Sequence, residues 1–384
     1  MTLVPVDVAL GDYEATLIQV VHEYARDELY PHDRAWDAGE SSVAEILPKL
    51  SEMGLLNLLV PEELNGLGCR YQTYAAIIHE LAVWSPATAV TVAVHALTGG
   101  IIERFAAEPR RSEWLSSWGD PGSFGAFALS EAGAGSDAAA VKVSAAPVDG
   151  GFRITGEKMW VTNGLHARWL FVLARLGGVP KEESYCTMIV DGNSPGIERS
   201  SIPGKMGIRG SETAVINFTD VFVPEDHQIG KQGQGLEVCL SSLGRGRVGI
   251  AAQATGIGEA CLNEMTSYAR QREQFGQPIG KFPAVAKMVA DSAVELEAAK
   301  LLVWRAACNI QDGVADRRAN SMAKLYASEA ANRIAYRAVQ VHGGAGYVRE
   351  CRVEQLYRDA RITTIYEGTS EVQRLVIARE LARR

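Results

Sequence analysis

The sequence predicts an α+β protein of three domains: an N-terminal all-helical domain, a middle β-sandwich or barrel domain, and a C-terminal four-helix bundle. Three observations carry that expectation. The 384 residues are too many for one ordinary core. Apolar residues recur at helical spacing up to about Ala106 and again, in longer segments, after Gly235. Between Phe124 and Gly230 the pattern changes to short β-rich runs separated by turn residues. The expected boundaries are 1–123, 124–234 and 235–384.

In the first domain the periodic residues are Leu17, Val20, Val21 and Tyr24, then Ile46, Leu50 and Met53, then Ile77, Ile78 and Leu81. Breakers such as Tyr30-Pro31, Val60-Pro61 and Asn65-Gly66-Leu67-Gly68 fall between them, where helix connections belong. The longest apolar run, Ala89 to Leu97, is interrupted by Thr91 and His95 and is too short to span a bilayer, so it reads as a buried helix. The β runs are Phe152–Ile154, Leu170–Leu173, Tyr185–Val190 and Val215–Phe218. The later helices are expected over 236–270, 283–312, 316–341, 353–358 and 370–381.

The charge balance, 38 basic against 46 acidic residues for a net −8 with neither sign in blocks, argues against nucleic acid or an anionic membrane as the main partner. Six scattered cysteines indicate neither a zinc site nor a disulfide framework, and no other metal cluster stands out. Met1 to Gly11 carries no basic segment followed by an apolar run, so no leader and a cytoplasmic, thiol-reducing location are expected.

Five stretches carry chemistry. Tyr366-Glu367-Gly368-Thr369 sets a carboxylate between an aromatic ring and a glycine where a loop passes into a helix that Thr369 or Ser370 can cap. Such a loop presents Glu367 beside a free backbone N–H, which suits removal of a proton next to a carbonyl. Phe127 to Asp137 combines two glycines with Ser130 and Ser136, leaving N–H groups free for a phosphate or flat heterocycle; read alone it is also an ordinary small-residue turn. Trp160 and Thr162 lie two apart on a β run and can stack beside and bond to an aromatic cofactor, or can be core residues. Arg270 to Gly276 and Gln340 to Tyr347 end helices in glycine turns that suit a pyrophosphate or adenosine, or simply cap the helices. His342 is read as a structural histidine.

Together, in this order and in this α, β, α layout, the five stretches resemble the acyl-CoA dehydrogenase family over nearly the whole chain. The resemblance implies bound FAD, with Phe127, Leu129 and Ser130 against its isoalloxazine ring. Ser136 then lies near cofactor and thioester, Trp160 beside the ring, and Thr162 bonded to flavin N5. Arg272, Gln274, Phe275, Gln340 and Gly344 form a grip on FAD contributed by a neighbouring subunit, and Thr369 and Glu371 complete the site. Glu367 is the implied base that takes the α-proton of an acyl thioester while a hydride leaves the β-carbon, giving a trans-2-enoyl thioester. Tyr366 and Gly368 flank the thioester, and Arg245 and Arg247 are candidates for its CoA or carrier arm.

The implied partners are an acyl-CoA or acyl-carrier thioester, an electron-transfer flavoprotein, and copies of the same chain in a dimer of dimers. Family branches that carry the base on a bundle helix place it just before the arginine that is here Arg247; that position is Gly246. Two departures stand out. Gly244 replaces a usual aspartate, and Pro283 follows Phe282 where many members have glutamine. No arginine is evident at the acyl-pocket floor that would signal a dicarboxylyl substrate, and chain length and branching stay open. Carrier-linked acyl dehydrogenases, flavin monooxygenases, oxidases and a scaffold without turnover are the competing readings.

Overall fold

The computed structural model describes residues 3–5, 10–180 and 183–382. Most of Met1 to Gly11, read above as lacking a leader, lies outside the described residues. Six α-helices come first: α1 (Asp12–Tyr24), α2 (Tyr30–Ala38), α3 (Leu47–Glu52), α4 (Tyr71–Trp84), α5 (Pro86–Phe105) and α6 (Arg110–Ser116). α4 and α5 are buried along most of their length, including the Ala89–Leu97 stretch read as a buried helix, in which Ala96 alone is half-buried. They join through a single residue because Ser85 caps α5, its hydroxyl accepting from the Thr88 N–H, while Pro86 fills the first helical position where no donor is needed. Among the described residues no helix is long and apolar enough to cross a membrane.

The middle segment contains β1 (Gly125–Ala128), β2 (Ser144–Val148), β3 (Gly151–Thr162), β4 (Trp169–Leu176), β5 (Tyr185–Asp191), β6 (Ile197–Ser201), β7 (Thr213–Pro224) and β8 (Gln228–Ile229). They form one connected sheet, in the order β6-β7-β3-β2-β4-β5-β8, with β1 parallel to β4. Ile154, Ala145, Val172, Met188 and Ile216 come from five of these strands yet share one core, so the sheet curls around its own interior. The opposite face of β4 and β5, through Phe171, Leu173 and Ile189, packs on Ile101, Ile102 and Trp114 of the helical domain and Val238 of the next. Burial on both faces explains why these two strands read as unbroken apolar runs rather than alternating ones.

The remaining chain forms α7 (Gly235–Gln271), a small hairpin of β9 (Glu273–Gln274) and β10 (Gln277–Pro278), then α8 (Pro283–Gln311), α9 (Arg317–His342), α10 (Arg352–Ile362) and α11 (Ser370–Ala382). α7, with 37 residues, is about 55 Å long and is the axis of the molecule. Glycines let its neighbours approach: a Cβ on Gly256 would lie 2.4 Å from the His79 carbonyl oxygen, and one on Gly249 would lie 2.7 Å from the Tyr74 hydroxyl. Pro283 stands at the first position of α8, so its missing N–H costs the fold nothing. Among the described residues all six cysteines are free thiols.

The curled sheet meets the bundle through the loop Lys205–Ser211. The Asp359 carboxylate on α10 accepts from the Ile208 N–H at 2.5 Å, and Gly207 lies flat on the α10 backbone. A Cβ on Gly207 would stand 2.5 Å from the Arg358 carbonyl carbon and oxygen. The clash is with backbone, which cannot swing away. Gly207→Ala is therefore expected to lower stability by about 1–3 kcal/mol, seen as a reduced melting temperature; an unchanged melting temperature would show that the junction yields freely.

Candidate active site

Glu367 lies in the turn between α10 and α11 with φ 54°, and Gly368 follows at φ 88°. Two successive positive φ values reverse the chain so that the carboxylate points inward. Glycine supplies the second at no steric cost, whereas Glu367 holds a conformation that favours glycine and must be fixed by its surroundings. The fixing groups are visible. Lys324 of α9 donates to the Gly368 carbonyl at 2.8 Å, and Gln373 of α11 donates to the same oxygen at 2.8 Å and to the Glu367 carbonyl at 3.2 Å. Thr369 caps α11, its hydroxyl accepting from the Val372 N–H at 3.3 Å. The Tyr366 hydroxyl donates to Gln253 of α7, whose amide donates in turn to the Pro86 carbonyl at 2.8 Å.

The carboxylate itself sits against α7. A Cβ on Gly246 would lie 2.7 Å from Glu367 Oε2 and 3.2 Å from Leu97 Cδ2, so a side chain at position 246 and the carboxylate at 367 compete for one space. Oε2 is buried and accepts no hydrogen bond, and Arg247 Nε, Asn320 Oδ1 and Ser370 Oγ are likewise buried without partners among the described residues. Buried polar atoms are nearly always satisfied, so several orphans in one place mark a ligand's position. Burial pushes the Glu367 carboxyl up to about 7, against the opposing pull of the Arg247 and Lys324 cations. Lys324 is itself pushed down to about 8 by burial.

Beside this carboxylate opens a cleft of about 330 Å³, counted with its mouth, lined by Leu59, Tyr71 and Tyr74, by Ala96, Leu97, Gly100, Ile101 and Arg104 of α5, and by Ser242, Arg245 and Gly246 of α7. Its lining is predominantly apolar, as ligand clefts are. Arg104 and Arg245 both belong to this lining, and Arg104 was not singled out from the sequence.

The other residues singled out from sequence fall into two groups. On the sheet, the Phe127 ring stacks on Phe171 with centroids 5.2 Å apart, Leu129 is buried, Ser130 is half-buried and Ser136 is exposed. Trp160 takes φ 61° beside a register shift between Lys158 and Val161, and its ring is 59% exposed, so it is not a core tryptophan. Thr162 ends the same strand, half-buried. Sequence reasoning passed over Lys158, which is fully buried and donates to the Leu129 carbonyl at 2.8 Å and to Glu131 at 2.9 Å. It ties the Phe127–Ser130 segment to the strand that carries Trp160. A lysine within an apolar alternation was the available signal.

Arg247, proposed for the substrate's arm, is buried, donates to the Ser321 hydroxyl at 3.3 Å, and faces Glu367 rather than the surface. Gly244 is also buried, but a Cβ there would lie 3.7 Å from Asn320 Nδ2, an ordinary contact, so packing does not demand the glycine. Glu371 is exposed in the first turn of α11.

The second group stands at the far end of α7. Arg272 and Gln274 are exposed, and Phe275, at φ 51°, is 93% exposed at the hairpin tip, edge-on to the Phe282 ring with centroids 6.0 Å apart. Gln340 and Gly344 end α9 nearby: His342, a structural histidine as expected, donates to the Ala338 carbonyl and stacks on Tyr268 of α7 at 4.2 Å. The 25 residues of α7 and its exit between Arg247 and Arg272 separate the two groups by roughly 37 Å. One chain therefore does not bring all the expected residues to one place.

Comparison with known proteins agrees with this geometry. Residues 12–119, 126–221 and 233–382 match the models of the N-terminal, middle and C-terminal domains of acyl-CoA dehydrogenase. The chain is similar to the human mitochondrial short-chain specific acyl-CoA dehydrogenase, 38% identical over 377 residues, 98% of this chain and 92% of the relative. Among solved structures, butyryl-CoA dehydrogenase from Megasphaera elsdenii superposes with a TM-score of 0.95 at 33% identity, covering 98% of this chain and all of the other. A chain solved with the electron transferring flavoprotein of Acidaminococcus fermentans as its subject gives the same TM-score of 0.95 at 33% identity, with 98% and 100% coverage.

Proposed function

The chain belongs to the acyl-CoA dehydrogenase family, and from that premise we propose that it oxidises short acyl-CoA thioesters, Glu367 removing the α-proton. The observation that carries this reading is the unsatisfied Glu367 carboxylate, raised to about 7 by burial, beside Gly246 in the lining of a mostly apolar cleft. A base is most effective when its pKa lies near the working pH. Among the described residues the Glu367 N–H also makes no hydrogen bond, so it is free to donate to the thioester carbonyl and stabilise the developing enolate.

FAD is the family's cofactor, and the residues fit it. An exposed Trp160 ring, the half-buried Thr162 and Ser130, and the orphaned polar atoms around Glu367 offer both a stacking surface and hydrogen-bonding groups. Phe127, Leu129, Ser130, Trp160 and Thr162 would hold its ring system, with Ser136, Thr369 and Glu371 at the edge of the site. When bound, FAD accepts the hydride equivalent that leaves the β-carbon, giving the trans-2-enoyl thioester. Arg272, Gln274, Phe275, Gln340 and Gly344 stand together where α7 and α9 end, away from the Glu367 end of both helices, which supports their serving a second copy's cofactor and hence a homo-oligomer, a dimer of dimers by family habit. Phe275, almost wholly exposed, then has a reason to be aromatic. Tyr366 and Gly368 shape the loop, Arg247 steadies the ionised base, and Arg245 meets substrate at the cleft. An electron-transfer flavoprotein is the proposed electron acceptor.

The test is an anaerobic visible spectrum of the purified protein, titrated with straight-chain acyl-CoAs of increasing length. A short member of the series is expected to bleach the flavin band at once; bound flavin that no acyl-CoA bleaches would sink the proposal. Lys324→Met removes one of two donors to the Gly368 carbonyl and one of two cations beside Glu367. The expected result is a loss of ~10–100-fold in reduction rate at pH 7, with the acid limb of the pH–rate profile moved to higher pH, since a lost cation disfavours the carboxylate. An acid limb that stays put would limit Lys324 to packing.

A further inference from the structure

A lysine shut away from water is costly to bury, because its charge must be repaid by partners in the interior. Lys158 on β3 is such a residue, at 0% exposure. Its ammonium has three protons to give. One goes to the Leu129 carbonyl at 2.8 Å and one to Glu131 Oε1 at 2.9 Å. The Glu131 carboxylate does not depend on this cation for its partners, since the Lys142 N–H at 2.6 Å and the Val143 N–H at 3.0 Å also donate to it. The Cys239 thiol of α7 is a further titratable neighbour, and burial pushes it up, so it stays uncharged. Burial draws the ammonium below the usual lysine range, and the ion pair with Glu131 opposes that pull. A methionine would fill the same volume without the electrostatic cost.

What the ammonium holds gives the charge its meaning. The Leu129 carbonyl belongs to the peptide group that joins Leu129 to Ser130, and the N–H of that same group makes no hydrogen bond among the described residues. The next carbonyl, that of Ser130, accepts from the Met159 N–H at 2.9 Å. Two successive residues of β3 thus clamp the carbonyls on either side of the Ser130 Cα. A trans peptide sets its N–H and C=O on opposite sides, so the Ser130 N–H points away from the buried lysine. The same strand turns at once: Trp160 takes φ 61° beside the register shift between Lys158 and Val161, and its ring is 59% exposed. A hydrogen bond to a carbonyl polarises the whole amide and makes its N–H a stronger donor, and one from a cation does so most.

We propose that Lys158, acting through the Leu129–Ser130 peptide, strengthens the Ser130 N–H as a donor to the FAD ring and so makes the bound flavin easier to reduce. The proposal rests on the flavin placement given above and deepens it. A reduced ring holds two more electrons than an oxidised one, so a donor of greater positive character stabilises the reduced form more. Lys158 works through the peptide and not by contact, which makes it a positioning residue.

The experiment compares the FAD-loaded wild type with Lys158→Met, Lys158→Gln and Lys158→Arg, reading the flavin midpoint potential by dithionite titration against a reference dye with no thioester present. Methionine and glutamine remove the charge, glutamine keeping a neutral donor, and arginine keeps charge and donor together. The expected result is a ~10-fold smaller equilibrium constant for two-electron reduction in Lys158→Met and Lys158→Gln, a midpoint about 30 mV lower, with Lys158→Arg close to the wild type. An unchanged potential in Lys158→Met with FAD retained overturns the proposal and leaves Lys158 a strut. So does an equal fall in all three variants, which assigns the effect to disturbed packing. Lys158→Gln keeps the comparison available if Lys158→Met fails to fold. Failure of the ring's placement would appear separately: flavin fluorescence is expected to be quenched by Trp160 and to recover several-fold in Trp160→Leu, and no recovery would put the ring elsewhere. Failure of the dehydrogenase reading would appear as a wild-type flavin band that no acyl-CoA bleaches while the potentials are still measurable.

Discussion

Glu367→Gln is expected to reduce the rate of flavin reduction by ~10⁴-fold, the upper end for a positioned general base, while acyl-CoA still binds. Glutamine keeps the shape and loses the proton acceptor. The same substitution should make the protein more stable at alkaline pH. A carboxyl whose pKa is about 7 in the folded chain, against an ordinary 4.5, holds its proton more tightly when folded. Folding is therefore favoured at low pH, and that advantage drains away as pH rises from 4.5 through 7. Above pH 7 the wild type carries a buried carboxylate that the variant does not. The variant should exceed it there by up to about 3 kcal/mol, and the gap should close as pH falls below 4.5. Thermal unfolding of both proteins across pH 4 to 9 measures this, and parallel curves would mean that Glu367 is not held in a desolvating site. A residue kept at a cost in stability is what a catalytic position predicts.

How much of this was legible beforehand follows from which signals are local. Helical periodicity placed α7, α8 and α9 to within a residue or two, because a stripe of apolar side chains is a property of neighbours in sequence. The Glu367 loop was legible for the same reason: aromatic, acid, glycine and cap occur in one run. The curl of the sheet was not, since closing one core with strands from β2 to β7 depends on pairings distant in sequence. Trp160 shows the limit of alternation, where a positive φ and a register shift turn a side chain outward that counting by twos leaves undecided. Arg104 was missed altogether. Nothing near Phe105 in sequence says that two turns of α5 separate it from the base, or that Arg245 faces it across the cleft. The buried pair Lys158 and Glu131 was equally hidden, as its members sit in different motifs and meet only in the fold.

The second large effect belongs to a residue with no side chain. Gly246→Ala should lower the rate of flavin reduction by about 100-fold without weakening the fold, because the added methyl would stand 2.7 Å from Glu367 Oε2 and 3.2 Å from Leu97 Cδ2. One of the two must move, and the carboxylate sits at the end of the more flexible arm. Alanine within a helix is otherwise favoured over glycine by about 0.5–1 kcal/mol, so melting temperature should hold or rise while activity falls. That opposite movement separates a displaced base from a damaged protein, and a fully active Gly246→Ala would show that the carboxylate does not need its present place. The geometry reaches one step further. If positions 246 and 367 share one volume, a carboxylate from either can fill it, but not from both, since two carboxylates in one desolvated space resist joint ionisation. Gly246→Glu alone should therefore be inactive, and Gly246→Glu combined with Glu367→Gly should recover measurable flavin reduction from the opposite wall of the cleft.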